Sequence, residues 1–383
     1  MKRSFKRPNL ILYLFLGVIL KIFAFIKGQR ISKKVEIKGP AIVLSNHTSF
    51  YDFIYTATAA YPHRINYLAA DKMFYDPTLS FFLKLARAIP KCLFQSDLKS
   101  IRATFTIIKQ NGIVGIFPEG QISGIGKTNE SPYAIAKLLK KVAVDVYVIK
   151  HHNVYFVNPP WTKKSFPGKF ETTMEKILTK ELIDKMSDEE IFHLVNHQLD
   201  YNATEYNQIR KSKFRLNDIS NLENIIYRCP ACHHEGLISK KTHLHCEKCQ
   251  LDLTYDIYGR LNEWGLYDLY HQQELTIQDE IKKQEDFSYC SPVQLESYRD
   301  NQLQLVGNGT LTLNKQHYIY QGTIDGMMGT KVFNTKNTPY LPSDIGKNIQ
   351  IYENYQIYQF VFEEKWYPTK IVIAGEYIYR LQN

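Results

Sequence analysis

Ala41-Ile42-Val43-Leu44-Ser45-Asn46-His47-Thr48-Ser49-Phe50-Tyr51-Asp52 is the stretch on which the fold turns. Ala41 to Ser45 is a short uncharged run of the kind that forms a strand buried on both faces. The polar residues after it mark the strand's end, and a helix starting near Ser49 places His47 in the turn and Asp52 in the first helical turn. There the carboxylate can hold one imidazole nitrogen and leave the other as a base for a hydroxyl. Helix capping by Ser49-x-x-Asp52 is compatible with the same placement.

The pattern repeats outward from this stretch. Ile65 to Ala70, Ile113 to Phe117 and Val142 to Ile149 read as further buried strands. Between them, Leu79 to Ala88 and Leu98 to Lys109 show apolar residues at helical spacing, and Ser131-Pro132 opens a helix through Lys141. Strands alternating with helices predict an α/β layer to about residue 173. The strand Ile113 to Phe117 also ends in a polar turn, Phe117-Pro118-Glu119-Gly120. Ligands collect at strand carboxyl ends in such sheets, so the two turns are expected to share one cleft.

The remaining chain reads differently. Residues 174–228 are polar and helix-like, with Ser187-Asp188-Glu189-Glu190 a helix start and Ile191, Leu194, Val195 and Leu199 its apolar stripe. Cys229-x2-Cys232 and Cys246-x2-Cys249 have the spacing of a zinc ribbon, and His233, His234, His243 and His245 are close enough to replace a ligand. A disulfide pair is the competing reading; the unpaired Cys92 and Cys290 fit a reducing setting instead. Beyond Thr254 lie 15 of the 27 tyrosines, and the alternation in Thr310 to Leu313 and Ile349 to Phe362 predicts antiparallel strands after a helical stretch around Gln272 to Gln284.

The expected organisation is a basic, apolar segment (1–34), an α/β catalytic domain (35–173) whose mixed sheet is flanked by helices, a helical connector (174–228), a small zinc ribbon (229–254) and a β-rich C-terminal region (255–383).

Length, composition and charge bound the function. At 383 residues with 44% hydrophobic and 22% charged residues, the chain excludes a disulfide-stapled peptide, long disorder and a multi-span transporter. The net charge of +10 is concentrated: residues 1–50 hold ten lysines and arginines against Glu36 alone, a balance of +9. That excess brackets the apolar run Leu10 to Ile26, so anionic lipid explains it better than nucleic acid does, and no nucleic-acid partner is expected. An amphipathic core helix is the plainer alternative. The lipid reading predicts a protein held on the cytoplasmic side of a membrane by this segment.

Together, His47-x4-Asp52 and Phe117-Pro118-Glu119-Gly120, about seventy residues apart, resemble the glycerolipid acyltransferase family that includes 1-acyl-sn-glycerol-3-phosphate acyltransferases. Asp71-Lys72-Met73-Phe74 with Ala88-Ile89-Pro90-Lys91 is similar to that family's acceptor-binding block, and Tyr155 to Trp161 with Gly168-Lys169 to its later strand region. The likeness covers about residues 35–173.

It implies transfer of a fatty acyl group from acyl-coenzyme A or acyl carrier protein to a lysophospholipid hydroxyl, 1-acyl-sn-glycerol-3-phosphate foremost. His47 would be the base, Asp52 its orienter, and Glu119 and Gly120 part of the acceptor site. No catalytic cofactor is expected, so any zinc at Cys229, Cys232, Cys246 and Cys249 would be structural. The chain departs from the family at Gln121, at Val144-Asp145-Val146, and after Ile89-Pro90, where Lys91 stands in for the usual phosphate-binding arginine with Arg87 and Arg102 in reserve. Another lysolipid or glycolipid acceptor is the alternative, as is a non-enzymatic membrane scaffold recruiting partners through ribbon and tail.

Gly120 to Thr128 misses the phosphate-loop spacing by one residue, because Gln121 stands where the first glycine belongs. Ser123 lacks a Gly-x-Ser-x-Gly frame, so both features are expected to mark a mobile loop over the cleft.

Overall fold

The computed structural model describes residues 5–92, 97–299, 302–353 and 356–383, so Lys2 and Arg3 of the basic arm lie outside the described residues. The chain divides into two compact units. One comprises residues 1–216 with 257–259, the other residues 217–256 with 260–383.

The first unit is built on a seven-stranded mixed sheet flanked by helices. Its strands are β1 (Gln29–Lys33), β2 (Ala41–Ser45), β3 (Ile65–Ala70), β4 (Ile89–Lys91), β5 (Ile113–Ile116), β6 (Asp145–His152) and β7 (Phe170–Leu178), in the order β1-β7-β6-β2-β5-β3-β4. Neighbours from β6 through β4 run parallel. β7 is antiparallel to β6, with His152 opposite Glu171, and β1 is parallel to β7, with Gln29 opposite Phe170. One edge of the sheet therefore collects the carboxyl ends of β2, β3, β4, β5 and β6 together with the amino ends of β1 and β7.

The helices are α1 (Leu10–Ile26), α2 (Asp52–Ala60), α3 (Pro77–Leu85), α4 (Leu98–Lys109), α5 (Ala134–Val142), α6 (Val154–Val157), α7 (Lys180–Lys185), α8 (Asp188–Leu199) and α9 (Ala203–Arg210). Ile42, Leu44, Val114, Val146 and Val148 of the sheet share a core with Ile135 and Leu139 of α5 and Ile191, Val195 and Leu199 of α8. Strand positions too close for a side chain take glycine. A Cβ on Gly115 of β5 would lie 2.7 Å from both Ile65 and Tyr67 of β3.

The expected helical connector is divided. Residues 174–178 complete β7, and α7, α8 and α9 belong to the first unit. The expected later strand Tyr155 to Trp161 begins instead as the short helix α6, and the strand starts at Phe170.

The N-terminal segment is corrected as well. Among the described residues, no helix is long and apolar enough to cross a membrane. At 17 residues, α1 extends about 26 Å, short of the roughly 30 Å of a hydrocarbon core. Its buried positions, Gly17 and Ala24, pack on the protein, and a Cβ on Gly17 would meet the Tyr61 ring at 2.5 Å. The assignment to the cytoplasmic side of a membrane through this segment is therefore withdrawn.

The second unit holds the short strands β8 (Ile238–Lys240), β9 (His243–His245), β10 (Asp252–Thr254), β11 (Arg260–Leu261) and β12 (Trp264–Gly265), then the helix α10 (Leu266–Lys283). A seven-stranded antiparallel sheet follows, from β13 (Ser288–Arg299), β14 (Gln302–Asn314), β15 (His317–Ile324), β16 (Met327–Asn334), β17 (Ser343–Asp344), β18 (Asn348–Glu353) and β19 (Gln356–Phe362), with α11 (Tyr367–Gln382) at the end. Its core joins Leu311, Tyr318, Tyr320, Phe333 and Phe360 of the sheet to Ile277 of α10 and Ile371 and Ala374 of α11. The tyrosine-rich tail is thus sheet and core.

Candidate active site

His47 lies in the turn between β2 and α2, held on three sides. Its Nδ1 is 3.1 Å from Asp52 Oδ2, its main-chain N–H donates to Glu119 Oε1 at 2.7 Å, and its carbonyl accepts from the Ser123 N–H at 2.8 Å. The Phe117 ring stacks on the imidazole with centroids 4.5 Å apart. Nδ1 is thereby engaged, and Nε2 is the nitrogen left for a reacting hydroxyl. The His47 side chain retains 19% exposure while that of Asp52 has none.

Asp52 is the first residue of α2 and reaches back to the Ser49 N–H, the acidic half of the expected Ser49-x-x-Asp52 arrangement, while the Ser49 hydroxyl accepts from the Tyr51 N–H at 3.2 Å. A single oxygen, Oδ2, takes the main-chain N–H groups of Thr48 at 2.7 Å and Ser49 at 2.8 Å as well as the imidazole. The two amide donors and the imidazole thus converge on one buried carboxylate oxygen, which fixes the carboxylate against the histidine.

Glu119 closes the arrangement from the β5 side. Oε1 is taken by the His47 N–H and Oε2 by the Asn129 N–H at 2.9 Å. Burial pushes its carboxyl up to about 8, the two amide donors opposing. Gly120 follows at φ +76°, a left-handed conformation suited to glycine. Both carboxyl oxygens of Glu119 are spent on main chain, so this residue ties the His47 turn to the loop before α5. The same loop is tied by Ser123 to the His47 carbonyl and by Thr128 N–H to the Tyr201 carbonyl at 2.9 Å. It is stitched to the site, contrary to the mobile loop expected there.

Sequence reasoning passed over a layer beneath these residues. Asn46 donates to the His151 carbonyl at 3.0 Å and accepts the His151 N–H at 2.8 Å, extending the β2–β6 ladder by a side chain. The His151 ring is fully buried, with Nε2 2.9 Å from Thr56 Oγ1 on α2 and Nδ1 3.0 Å from Thr172 Oγ1 on β7. Burial pushes this imidazole down to about 4, so it sits neutral. Gln29 continues the chain to Thr172 Oγ1 at 3.1 Å and to the Tyr55 carbonyl at 2.9 Å, one turn past Asp52. The available signal was His151-His152-Asn153 itself, a third polar cluster at a strand end.

Lys91 ends β4, three strands from β2 at the same sheet edge, roughly 14 Å away at ordinary strand spacing. Burial lowers its ammonium pKa, opposed by the charges of Asp97, Cys92 and Asp71. The Cys92 thiol donates to Asp71 Oδ2 at 3.1 Å, so the two halves of the expected acceptor block do meet. Arg87 and Arg102 are exposed. The structure thus brings His47, Asp52, Glu119 and Gly120 together and sets Lys91 apart on the flank. Phe81 and Phe82 on α3 are 64% and 59% exposed, which removes core packing as their role.

In the second unit the sulfurs of Cys229, Cys232, Cys246 and Cys249 all lie within 4.8 Å of one another, with two pairs at 3.6 Å. A tetrahedral zinc site with bonds of about 2.3 Å has sulfurs about 3.8 Å apart, whereas a disulfide needs about 2.05 Å. The donors match a metal site and exclude the disulfide. Each knuckle turns through a left-handed residue, His233 or Gln250. The four cysteines form the group without a histidine, and His245 is instead paired with Asp252 at 2.8 Å.

Residues 26–151 match the family described as Acyltransferase. The chain is 26% identical over 112 residues to a 1-acyl-sn-glycerol-3-phosphate acyltransferase of Bacillus subtilis (strain 168), a match covering 28% of this chain and 56% of that protein. The chain therefore spans little more than half the length of that relative. It is also similar to the crystal structure of the 1-acyl-sn-glycerophosphate acyltransferase from Thermotoga maritima, with a TM-score of 0.43 and 17% identity, over 52% of this chain and 79% of that one.

Proposed function

Since residues 26–151 belong to the acyltransferase family, we propose that this protein transfers a fatty acyl group from acyl-coenzyme A or acyl carrier protein to the hydroxyl of 1-acyl-sn-glycerol-3-phosphate, giving phosphatidic acid. The observation that carries the reading is the His47 imidazole, engaged at Nδ1 by the buried Asp52 and open at Nε2 on the sheet edge.

Nε2 takes the hydroxyl proton as the acceptor oxygen attacks the thioester carbonyl, and Asp52 stabilises the imidazolium that forms. Collapse of the tetrahedral intermediate breaks the C–S bond, the new ester forms, and the imidazolium returns its proton to the leaving thiolate. Glu119 serves by bracing the His47 turn, with Gly120 closing the turn after β5 that presents Glu119. Lys91 is the phosphate-facing cation on the acceptor flank, and the exposed Phe81 and Phe82 shelter the acyl chain. The four cysteines hold a structural zinc.

One observation favours a second acceptor class. Asp71 and Asp97 lie close enough to Lys91 to act on its charge, which weakens it as a phosphate ligand and suits a neutral glycolipid head group.

The test is acyl transfer by wild type and His47→Ala, offered labelled lysophosphatidate with either donor in mixed micelles. Product from wild type alone supports the reaction and the base. Product from both removes His47 from the mechanism. Product from neither turns the search to glycolipid acceptors and then to a scaffold role.

A further inference from the structure

Three chain segments far apart in sequence, residues 27–30, 163–169 and 210–215, carry nine lysines and arginines and no acid. The fold brings them together. Gly28 accepts the Phe170 N–H at 3.0 Å, and a Cβ on Gly168 would meet the Phe214 ring at 2.6 Å. Phe25, Ile26, Gly28, Arg30, Lys169 and Lys213 line one depression. Arg210 is neutralised by Glu171 at 2.9 Å, while among the described residues Lys27, Arg30, Lys163, Lys169, Lys211, Lys213 and Arg215 enter no ion pair.

This surface belongs to the same sheet edge as His47. The edge holds the amino ends of β1 and β7, where Gln29 and Phe170 start their strands, and the carboxyl end of β2. In the order β1-β7-β6-β2 the separation is three strand spacings, roughly 14 Å. An acyl donor bound here by its carrier would deliver its thioester along the edge to Nε2.

Building on the proposed acyl transfer, we infer that this basic surface docks an acidic acyl carrier protein. Its make-up is that of a protein interface. Phe25 and Ile26, 62% and 75% exposed at the end of α1, supply its apolar part, and Arg30 lies over the Phe25 ring at 4.1 Å. The lysines form a charged rim spread over three segments. A nucleotide's phosphates would call for a few converging donors in an enclosed site. A broad excess of one sign instead steers a partner of opposite charge and sets its orientation.

The experiment compares the full chain with the variant K169E/K213E, both positions being exposed and outside the acyl-transfer machinery. Binding of palmitoyl-acyl carrier protein is followed by fluorescence anisotropy, and transfer to lysophosphatidate is measured with palmitoyl-acyl carrier protein and with palmitoyl-coenzyme A. The expected result is carrier binding and KM weakened about tenfold in the variant, with kcat and the coenzyme A reaction unchanged and a shallower salt dependence. Equal loss with both donors would overturn the inference in favour of a nucleotide site, and unchanged carrier binding would overturn it outright. Charge reversal that abolishes binding to anionic vesicles but leaves the carrier untouched would also overturn it. The anisotropy arm stands without turnover, so failure of the proposed reaction and failure of the docking surface are read separately.

Discussion

Replacing Asp52 with asparagine removes one charge and almost no volume. The carboxamide can still present an oxygen to the Thr48 and Ser49 amides, which Asp52 Oδ2 now receives at 2.7 and 2.8 Å. What disappears is the charge facing His47 Nδ1 at 3.1 Å. With the charge centres about 4 Å apart and an effective dielectric of about 20, that attraction is about 4 kcal/mol for the imidazolium. It is absent for the neutral ring, so it acts on the transition state, and about 4 kcal/mol corresponds to about a thousandfold in kcat. Acceptor KM is expected to stay within about threefold, because Asp52 is fully buried and touches no substrate. Steady-state transfer in mixed micelles gives kcat, and urea unfolding should place the Asp52→Asn variant within about 2 kcal/mol of wild type. A kcat reduced less than about tenfold in a folded variant would refute this account of the His47–Asp52 pair.

Glu119→Gln leaves one of the two amides now bound by the carboxyl facing an NH2 group, and an orphaned buried N–H costs about 1–3 kcal/mol, to be read as a lowered urea midpoint; an unchanged midpoint would deny the bracing role. His151, buried and held down to about 4, binds its proton in the unfolded chain from about pH 6.5 downward but in the folded chain only near pH 4. Its contribution, full above pH 6.5, is lost as pH falls through that window, about 3 kcal/mol in all, and the difference in urea stability between wild type and His151→Gln should shrink accordingly. Stripping metal from the metal-loaded protein with a chelator should release four titratable thiols and lower the melting temperature of the second unit. Arg228, next to Cys229, is buried and pairs with Glu280 of α10 at 2.7 Å and with Glu235, and Glu235 pairs with Lys370 of α11 at 2.8 Å. Loosening that chain costs more than about 3 kcal/mol, and melting unchanged by metal removal would deny the site a structural role.

Where burial and local chemistry agree, the elements were legible in sequence. β2 and β3 span the residues read for them, α4 runs Leu98–Lys109 as its spacing predicts, and Ser187 caps α8 in a capping box with Glu190. The stretch Val142 to Ile149 was not legible in the same way. It reads as one apolar run, yet Val142 ends α5, Ala143 caps it at φ +48°, and β6 runs from Asp145 to His152. An apolar run shows burial but not which kind of element is buried. The three-residue shift carries His151 into the sheet, and with it the layer beneath Asp52 passed unseen. β1 was hidden likewise, because Gln29 to Lys33 is a polar edge strand whose partner lies about 140 residues away.

Charge is arranged by the fold in a way the chain order conceals. Along the sequence the basic excess sits in the first fifty residues, and the remainder is close to neutral. The fold regroups it, because residues 163–169 and 210–215 reach the amino ends of β1 and β7, where Glu171 offsets only Arg210. Lys91 lies at the opposite flank, three strands beyond β2, on the side proposed for the acceptor. The proposed reaction joins two anionic substrates, and a mixed sheet with its base on the central strand keeps their charged parts about six strand spacings apart, roughly 29 Å. Only the uncharged reacting groups, the hydroxyl and the thioester, then need to meet at Nε2. At that distance, several times the screening length in physiological salt, the two bound anions do not repel each other appreciably. Occupancy of one flank should therefore leave affinity at the other unchanged: the KM for lysophosphatidate should be the same at low and saturating carrier-protein concentrations. A KM that rises with donor concentration would place both anions in one pocket and refute the separation.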